Sequence, residues 1–279
     1  MDALLSVRDA WFRYPGVDFD VIRGARLDVD RGEVVAIIGP NGCGKTTLLF
    51  LMAGLFKPHK GDVLLDSKSI YDQLPEARRR IGLVFQDPDD QLFNSTVYDE
   101  IAFALRQLSF SEREIDARVK EVTKLLGISD LLDRSPYRLS FGEKRMVTVA
   151  SVIVYKPDLL LLDEPTANLS SRAVERIERL IKDWREKGKS VVVTSHNVDF
   201  VARIADRVFV MNMGKIIGGG DVRAVLGDED LLKRVDLRVP FPVRVYRTLG
   251  GSDSHIPLTL DELKCSLDRL FKNTEKNED

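Results

Sequence analysis

The nine residues Gly39, Pro40, Asn41, Gly42, Cys43, Gly44, Lys45, Thr46 and Thr47 have the types and order needed to hold a chain of phosphates. Glycines at three of these positions let the backbone turn tightly and bring successive N–H groups against phosphate oxygens. A helix opening near Lys45 points its positive end at the same anion. Lys45 is expected to reach the β- and γ-phosphates as a point charge, and the Thr46 hydroxyl to ligate the Mg²⁺ that bridges them. Thr47 is expected to support the α-phosphate. Cys43 lies inside the loop, so its alkylation is expected to block nucleotide binding and ATP to protect it. The apolar run Val34 to Ile38 precedes the loop, and Leu48, Leu49, Leu51, Met52 and Leu55 follow it at helical spacing, giving a strand, a phosphate loop and a helix.

Three further groups of residues could complete the chemistry. Leu159 to Pro165 reads Leu-Leu-Leu-Leu-Asp-Glu-Pro, which places Asp163 and Glu164 at the carboxyl end of a buried strand, where open parallel sheets present ligands. Asp163 is expected to hold Mg²⁺ through its water shell and Glu164 to activate the attacking water as general base. Val191 to His196 repeats this design and ends on His196, which is placed to meet a γ-phosphate and orient the water. A histidine at a strand end also serves as an ordinary structural hydrogen bonder. Gln86, after Leu83 to Phe85, is a third strand-end polar group able to ligate Mg²⁺ or water. Leu139 to Glu143 puts Ser140 in an N-cap position, and the exposed N–H groups of that helix form a second anion site.

The elements that must carry these groups follow from the apolar patterning. Short alternating stretches at Leu5 to Val7, Ala10 to Tyr14 and Ala25 to Val29 predict an antiparallel sheet, with a further strand pair around Gly61 to Leu65. From Val97 to Ile153 the pattern becomes helical, with Ile101, Ala102 and Leu105 on one segment and Ile115, Val119, Val122, Leu125 and Leu126 on the next. Near-continuous apolar strands at Leu159 to Leu162 and Val191 to Val193 predict a parallel sheet buried on both faces. The helix Arg172 to Lys187, closed by Gly188, makes these a right-handed β-α-β unit. From Asp228 onward, Pro240, Pro242, Gly250, Gly251 and Pro257 predict a loop-rich appendage. Thr259 and Glu262 form a capping box for a last helix to about Phe271, and a disordered tail of eight residues follows.

Bulk properties narrow the partners. A chain of 279 residues fits one large domain, or a domain with a small appendage. The longest apolar runs fall short of the ~18 residues of a membrane span, so any membrane role is expected to be peripheral. A formal charge of −2, from 42 basic and 44 acidic residues, gives no bulk reason to bind nucleic acid. The two cysteines do not suggest a disulfide framework and the first residues lack the pattern of a signal peptide, so the cytosol is the expected compartment.

Taken in order, Tyr14, the loop Gly39 to Thr47, Gln86, Leu139 to Glu143, Leu159 to Pro165 and His196 resemble the motif series of ABC-type ATPases, over about residues 4 to 226. The resemblance implies an α/β P-loop NTPase fold with an antiparallel β subdomain, a helical subdomain at about 97–155 within an ATPase domain at 1–227, and an appendage at 228–279. It implies that Tyr14 stacks on adenine, that Gln86 senses the γ-phosphate and that His196 is the switch histidine. Ser140, Phe141, Gly142 and Glu143 would act as a signature on ATP held by a second ATPase subunit, identical or related. One subunit is then half an active site.

Within that family, Val84 to Phe93 and the sequence Gly-Glu-Lys-Arg ending at Arg145 resemble the ATPases of energy-coupling factor transporters, which import cobalt, nickel or vitamins. The resemblance implies integral membrane partners at the cytoplasmic face, with Asp87, Asp89 and Asp90 as an acidic cradle for an arginine of a partner helix. It also implies that the appendage helps to hold two subunits together. Two positions depart from the family pattern. Phe141 stands where the family usually has Gly, so its ring must turn away from the partner's phosphate, and Ser170 stands where an Asp is usual. Other readings are a soluble ABC protein acting on DNA or ribosomes, disfavoured by the absence of a coiled-coil insertion or second cassette, and a nucleotide sensor that binds without hydrolysis.

Overall fold

A computed structural model describes residues 3–251 and 256–275. The chain opens with strands β1 (Leu5–Phe12), β2 (Ile22–Val29) and β3 (Val34–Ile38), then helix α1 (Lys45–Met52). Strands β4 (Lys60–Leu65) and β5 (Lys68–Ser69), a single helical turn α2 (Ala77–Arg80) and strand β6 (Ile81–Val84) follow. Helices α3 (Val97–Gln107), α4 (Glu112–Leu126) and α5 (Phe141–Ile153) come next. After them β7 (Leu159–Asp163), α6 (Ser171–Glu186), β8 (Ser190–Ser195), α7 (Val198–Ile204), β9 (Arg207–Asn212) and β10 (Lys215–Asp221) alternate. The chain ends with α8 (Val222–Gly227), α9 (Glu229–Lys233), α10 (Phe241–Thr248) and α11 (Leu260–Glu275).

Two sheets form. The antiparallel one has the order β2-β1-β4-β5, and the larger one β10-β9-β3-β8-β7-β6. In the larger sheet β9, β3, β8, β7 and β6 are parallel and β10 adds an antiparallel edge. The apolar runs of its strands are continuous because both faces are covered. Val35, Ile37, Leu159, Leu161 and Val192 face α1 and the antiparallel sheet. Their neighbours Val34, Ala36, Ile38, Leu160, Leu162, Val191 and Val193 face the helices. The two-residue period of a strand thus splits each run between two cores.

The expected β-α-β unit is present as β7-α6-β8, with β7 and β8 paired in parallel. The first two predicted alternating stretches are one strand, β1, interrupted by a register shift between Val7 and Ala10, where Asp9 has φ +48°. On α4, Ile115, Val119, Val122 and Leu126 are buried as their spacing requires, but Leu125 is 48% exposed. It sits one residue off the buried stripe and over the rim of a crevice with Trp184.

Beyond Asp228 the chain is more helical than its prolines and glycines suggest. Val235, Val239, Val243, Ile256 and Leu258 are buried in the same core that covers the helical face of the large sheet. At α11 the Glu262 backbone N–H donates to Thr259 Oγ1 at 3.3 Å, as in a capping box. The Glu262 carboxylate accepts instead from Leu258 N at 2.8 Å and from the Arg223 guanidinium at 2.9 and 3.1 Å. This fork joins α11 to α8. Helix α11 runs four residues past Phe271, and the end of the predicted tail, 276–279, lies outside the described residues. No helix among the described residues is long and apolar enough to cross a membrane.

Candidate nucleotide-hydrolysis site

The parallel strands deliver the chemistry at their carboxyl ends. Strand β3 leads into the phosphate loop, β8 to His196, β7 to Asp163 and Glu164, and β6 to Gln86. Close approach to β9 explains the loop's first glycine: a Cβ on Gly39 would lie 2.2 Å from the Met211 carbonyl oxygen. Gly44 caps α1 in a left-handed conformation, φ +109°, without any side-chain cap and without an acidic residue in the first turn. The head of α1 is therefore open toward an anion.

Lys45 is buried and bent back into the loop, where Nζ donates to Gly39 O at 2.8 Å and Pro40 O at 3.2 Å. The same Nζ is 3.4 Å from Glu164 Oε1. Thr46 Oγ1 donates to Asp163 Oδ2 at 2.6 Å, which brings together two of the three groups expected to hold a metal. The third, Gln86, lines a cleft of about 280 Å³ with Lys45, Thr46, Asp163 and Glu164. The Thr47 hydroxyl is hydrogen-bonded to the Tyr14 hydroxyl at 2.9 Å. The Tyr14 ring meets Phe12 and Phe56 edge-on, at centroid distances of 5.0 and 5.6 Å. Tyr14 is thus tied to the loop through Thr47.

Glu164 is built into the end of β7 with care. Its φ of +42° is unusual for a residue with a side chain. Its backbone N–H donates to Thr194, at 3.2 Å to the carbonyl and 3.1 Å to Oγ1. This holds the 4% exposed carboxylate with Oε2 3.0 Å from His196 Nδ1. Oε1 has no hydrogen-bond partner among the described residues. A buried carboxylate oxygen left open beside a lysine and a strand-end histidine is a place for a polar reactant. His196 itself is more than half exposed.

Ser140, Gly142 and Glu143 do not join this cleft. They line a separate one of about 260 Å³ with Gly127, Ser170 and Arg176. Ser140 and Glu143 close a complete capping box, which fixes the head of α5. Phe141 departs from its neighbours: its ring lines the cavity of Gln86, Asp90 and Thr46, leaving the Ser140 and Gly142 face clear. Of the expected acidic cradle, Asp87 caps the turn at Asp89 N and Asp89 accepts from Lys144 Nζ at 2.6 Å. Asp90 faces the cavity beside Gln86.

Two residues of the site escape sequence reasoning. Thr194 donates to Asp163 while its backbone and hydroxyl hold Glu164; its signal is a buried hydroxyl directly after the run Val191 to Val193. Arg145 is buried with its guanidinium on the carbonyls of Phe85 and Gln86. Its signal is a charge at helical spacing with the buried Thr148, Val149 and Val152.

Cys43 is expected to react slowly. It is buried, and burial pushes its thiol above the ordinary range, with Lys45 pulling the other way. A neutral-pH alkylating reagent is expected to modify exposed Cys265 first and to spare ATP binding until Cys43 reacts at higher pH. Peptide mapping against time checks the order, and prompt modification of Cys43 at pH 7 would contradict it.

The site defines an ATP-binding cassette, and comparison agrees: residues 22–167 match the ABC transporter family model, and the chain belongs to that family. Two similar proteins are the energy-coupling factor transporter ATP-binding proteins EcfA of Methanothermobacter thermautotrophicus and Methanocaldococcus jannaschii. The first is 36% identical over 93% of this chain and 85% of its own, the second 37% over 96% and 98%. The solved structure of cbiO1 from Clostridium perfringens, part of the ABC transporter complex cbiONQ, is 36% identical with a TM-score of 0.74, over 89% of this chain and 99% of its own. A dimeric ATP-binding cassette in a post-hydrolysis state, bound to ADP and Pi, is 26% identical with a TM-score of 0.73, over 78% and 98%.

Proposed function

We propose that this chain is the ATP-hydrolysing subunit of an energy-coupling factor type importer for cobalt, nickel or a vitamin. Two ATPase subunits close around two ATP, drive a change in membrane partners and reopen after hydrolysis. The observation that carries this reading is the separation of the site into two clefts. One cleft has the phosphate loop, Asp163, Glu164 and Gln86, with His196 bonded to Glu164 beside it, while the other presents Ser140 and Gly142 outward with no phosphate loop of its own. Each cleft lacks what the other has, as an isologous pair requires.

In this reading the loop N–H groups and Lys45 bind the phosphates, and Tyr14 steadies the loop and meets the adenine. Glu164 takes the proton of the attacking water, and His196 orients it. The Thr46 hydroxyl, Asp163 carboxylate and Gln86 amide are hard oxygen donors and few in number, which suits Mg²⁺ shared with phosphates. When bound, that ion neutralises charge between the β- and γ-phosphates. Membrane docking is supported by Phe93 and Phe103, exposed and packed edge-on at 4.9 Å, Phe103 on α3 and Phe93 on the loop before it, which the buried Glu100 carboxylate holds. An amphipathic partner helix with an arginine fits such a face, which supports a peripheral position at the cytoplasmic side of a membrane. Substrate choice then belongs to the membrane subunits.

The purified chain is expected to hydrolyse ATP with Mg²⁺ at a rate per subunit that rises with subunit concentration. A rate per subunit that stays flat while the chain is monomeric by light scattering would mean one chain holds a whole site, and would overturn the half-site reading.

A further inference from the structure

Arg145 follows Ser140 by five residues on α5, yet its side chain leaves the signature face and enters the protein, where none of it is exposed. One terminal nitrogen donates to the Phe85 carbonyl and the other to the Gln86 carbonyl. Its Nε has no hydrogen-bond partner among the described residues, and the Phe141 ring covers the guanidinium at 5.7 Å. No ion pair among the described residues includes it. Burial lowers its pKa to about 10, against the pull of Asp163 and Asp87, so it is a cation at neutral pH. An uncompensated buried cation is expensive, and here its fork is used on two successive peptides of the Gln86 loop. Lysine cannot reproduce that planar two-nitrogen fork, because all its donors sit on one nitrogen at the end of a flexible stem. The adjacent Lys144 grips the same loop at Asp89.

We propose that Arg145 is a positioning residue for hydrolysis: it holds the Gln86 peptide so that the Gln86 side chain stays in its own nucleotide cleft and moves with α5. The proposal rests on the ATPase reading above. Ser140 and Gly142, at the head of α5, face the second subunit's nucleotide, while Gln86 faces this subunit's own. A rigid link between them inside one chain makes closure on one nucleotide reposition a group at the other. Phe141, placed on the Arg145 side of α5, is part of that link and not an obstacle to the partner's phosphate.

The test uses the full chain as wild type, Arg145→Met and Arg145→Lys, each with and without Gln86→Ala. The readouts are kcat and KM for ATP, together with amide hydrogen exchange. Arg145→Met is expected to lower kcat by at least about tenfold while KM moves by less than about threefold. Arg145→Lys is expected to recover part of the loss. In the Gln86→Ala background, Arg145→Met is expected to cost less than about twofold more, because both act through one group. Amides of residues 86–92 are expected to exchange faster in Arg145→Met while those of β7 do not. A kcat within about twofold of wild type, full additivity with Gln86→Ala, or unchanged exchange at 86–92 would each overturn the proposal. So would general loosening that includes β7, with kcat and KM lost alike in Met and Lys variants. Absence of wild-type turnover would count against the ATPase reading, whereas the exchange comparison judges the clamp on its own.

Discussion

Glu164→Gln is expected to keep ATP binding and lose turnover, with kcat falling by about 10² to 10⁴. The argument begins with geometry. Glu164 Oε2 is engaged by His196, and Oε1 is buried with no hydrogen-bond partner among the described residues, 3.4 Å from Lys45 Nζ. A general base needs one free lone pair aimed at the proton it takes and a scaffold that stops it from turning away. Thr194 supplies the scaffold through two contacts to the Glu164 N–H. Glutamine matches glutamate in size and keeps the fold, but its amide is no base. Phosphate contacts from the loop, Lys45 and Thr46 are untouched, so affinity is expected to survive. In a composite site, bound ATP that is not hydrolysed keeps the two subunits closed, and the variant is expected to accumulate as an ATP-bound dimer. Steady-state hydrolysis and size-exclusion chromatography with light scattering check both halves. A variant that hydrolyses within tenfold of wild type would remove Glu164 from the role of base.

The dimer requirement also bears on Ser170, which lines the cleft of Ser140 and Gly142 and caps α6 without a side-chain hydrogen bond. A hydroxyl there faces the partner but carries no charge across. In the proposed dimer, N–H groups at the head of α5, more than charge at Ser170, are expected to hold the interface around the second nucleotide.

What the sequence shows depends on how local the physics is. The phosphate loop, Asp163, Glu164 and His196 are legible because each follows an apolar run, and polar residues at the carboxyl end of a buried strand have few other uses. Strand order is not legible. Strand β8, last of the three in sequence, lies between β3 and β7, and only this insertion lets Thr194 reach Asp163 and Glu164. Arg145 belongs to the same class: its partners are backbone carbonyls some sixty residues earlier, and carbonyls leave no mark in a sequence. The Glu262 carboxylate shows the converse, since a correct local pattern, the capping box, loses its side chain to Arg223 once α8 and α11 meet. Leu125 marks the limit of helical periodicity, where the edge of an apolar stripe is decided by which helix packs there.

Lys45→Met is expected to have the second large effect, and on two measurements at once. Lysine and methionine have similar length, so the substitution removes the charge more than the volume. With its cation gone the loop retains N–H groups for the phosphates, but the loss of a desolvated charge partner costs about 2–5 kcal/mol, roughly 30-fold to several-thousand-fold in ATP affinity. Equilibrium binding of a fluorescent ATP analogue with Mg²⁺ measures this, and wild-type affinity would remove Lys45 from phosphate binding. The nucleotide-free protein is expected to suffer as well. Lys45 Nζ satisfies the carbonyls of Gly39 and Pro40 and lies beside the buried Glu164 carboxylate. Breaking a buried pair by removing one partner costs about 3–5 kcal/mol, because the remaining charge is left uncompensated. The melting temperature of Lys45→Met is therefore expected to fall, and most of that fall to be recovered in the double variant with Glu164→Gln, which has no charge left to compensate. Additive losses in the double variant would mean that the 3.4 Å contact does not couple the two residues. Coupling without nucleotide, together with separate losses in binding and turnover, would show that the base and the phosphate cation hold each other in place until ATP parts them.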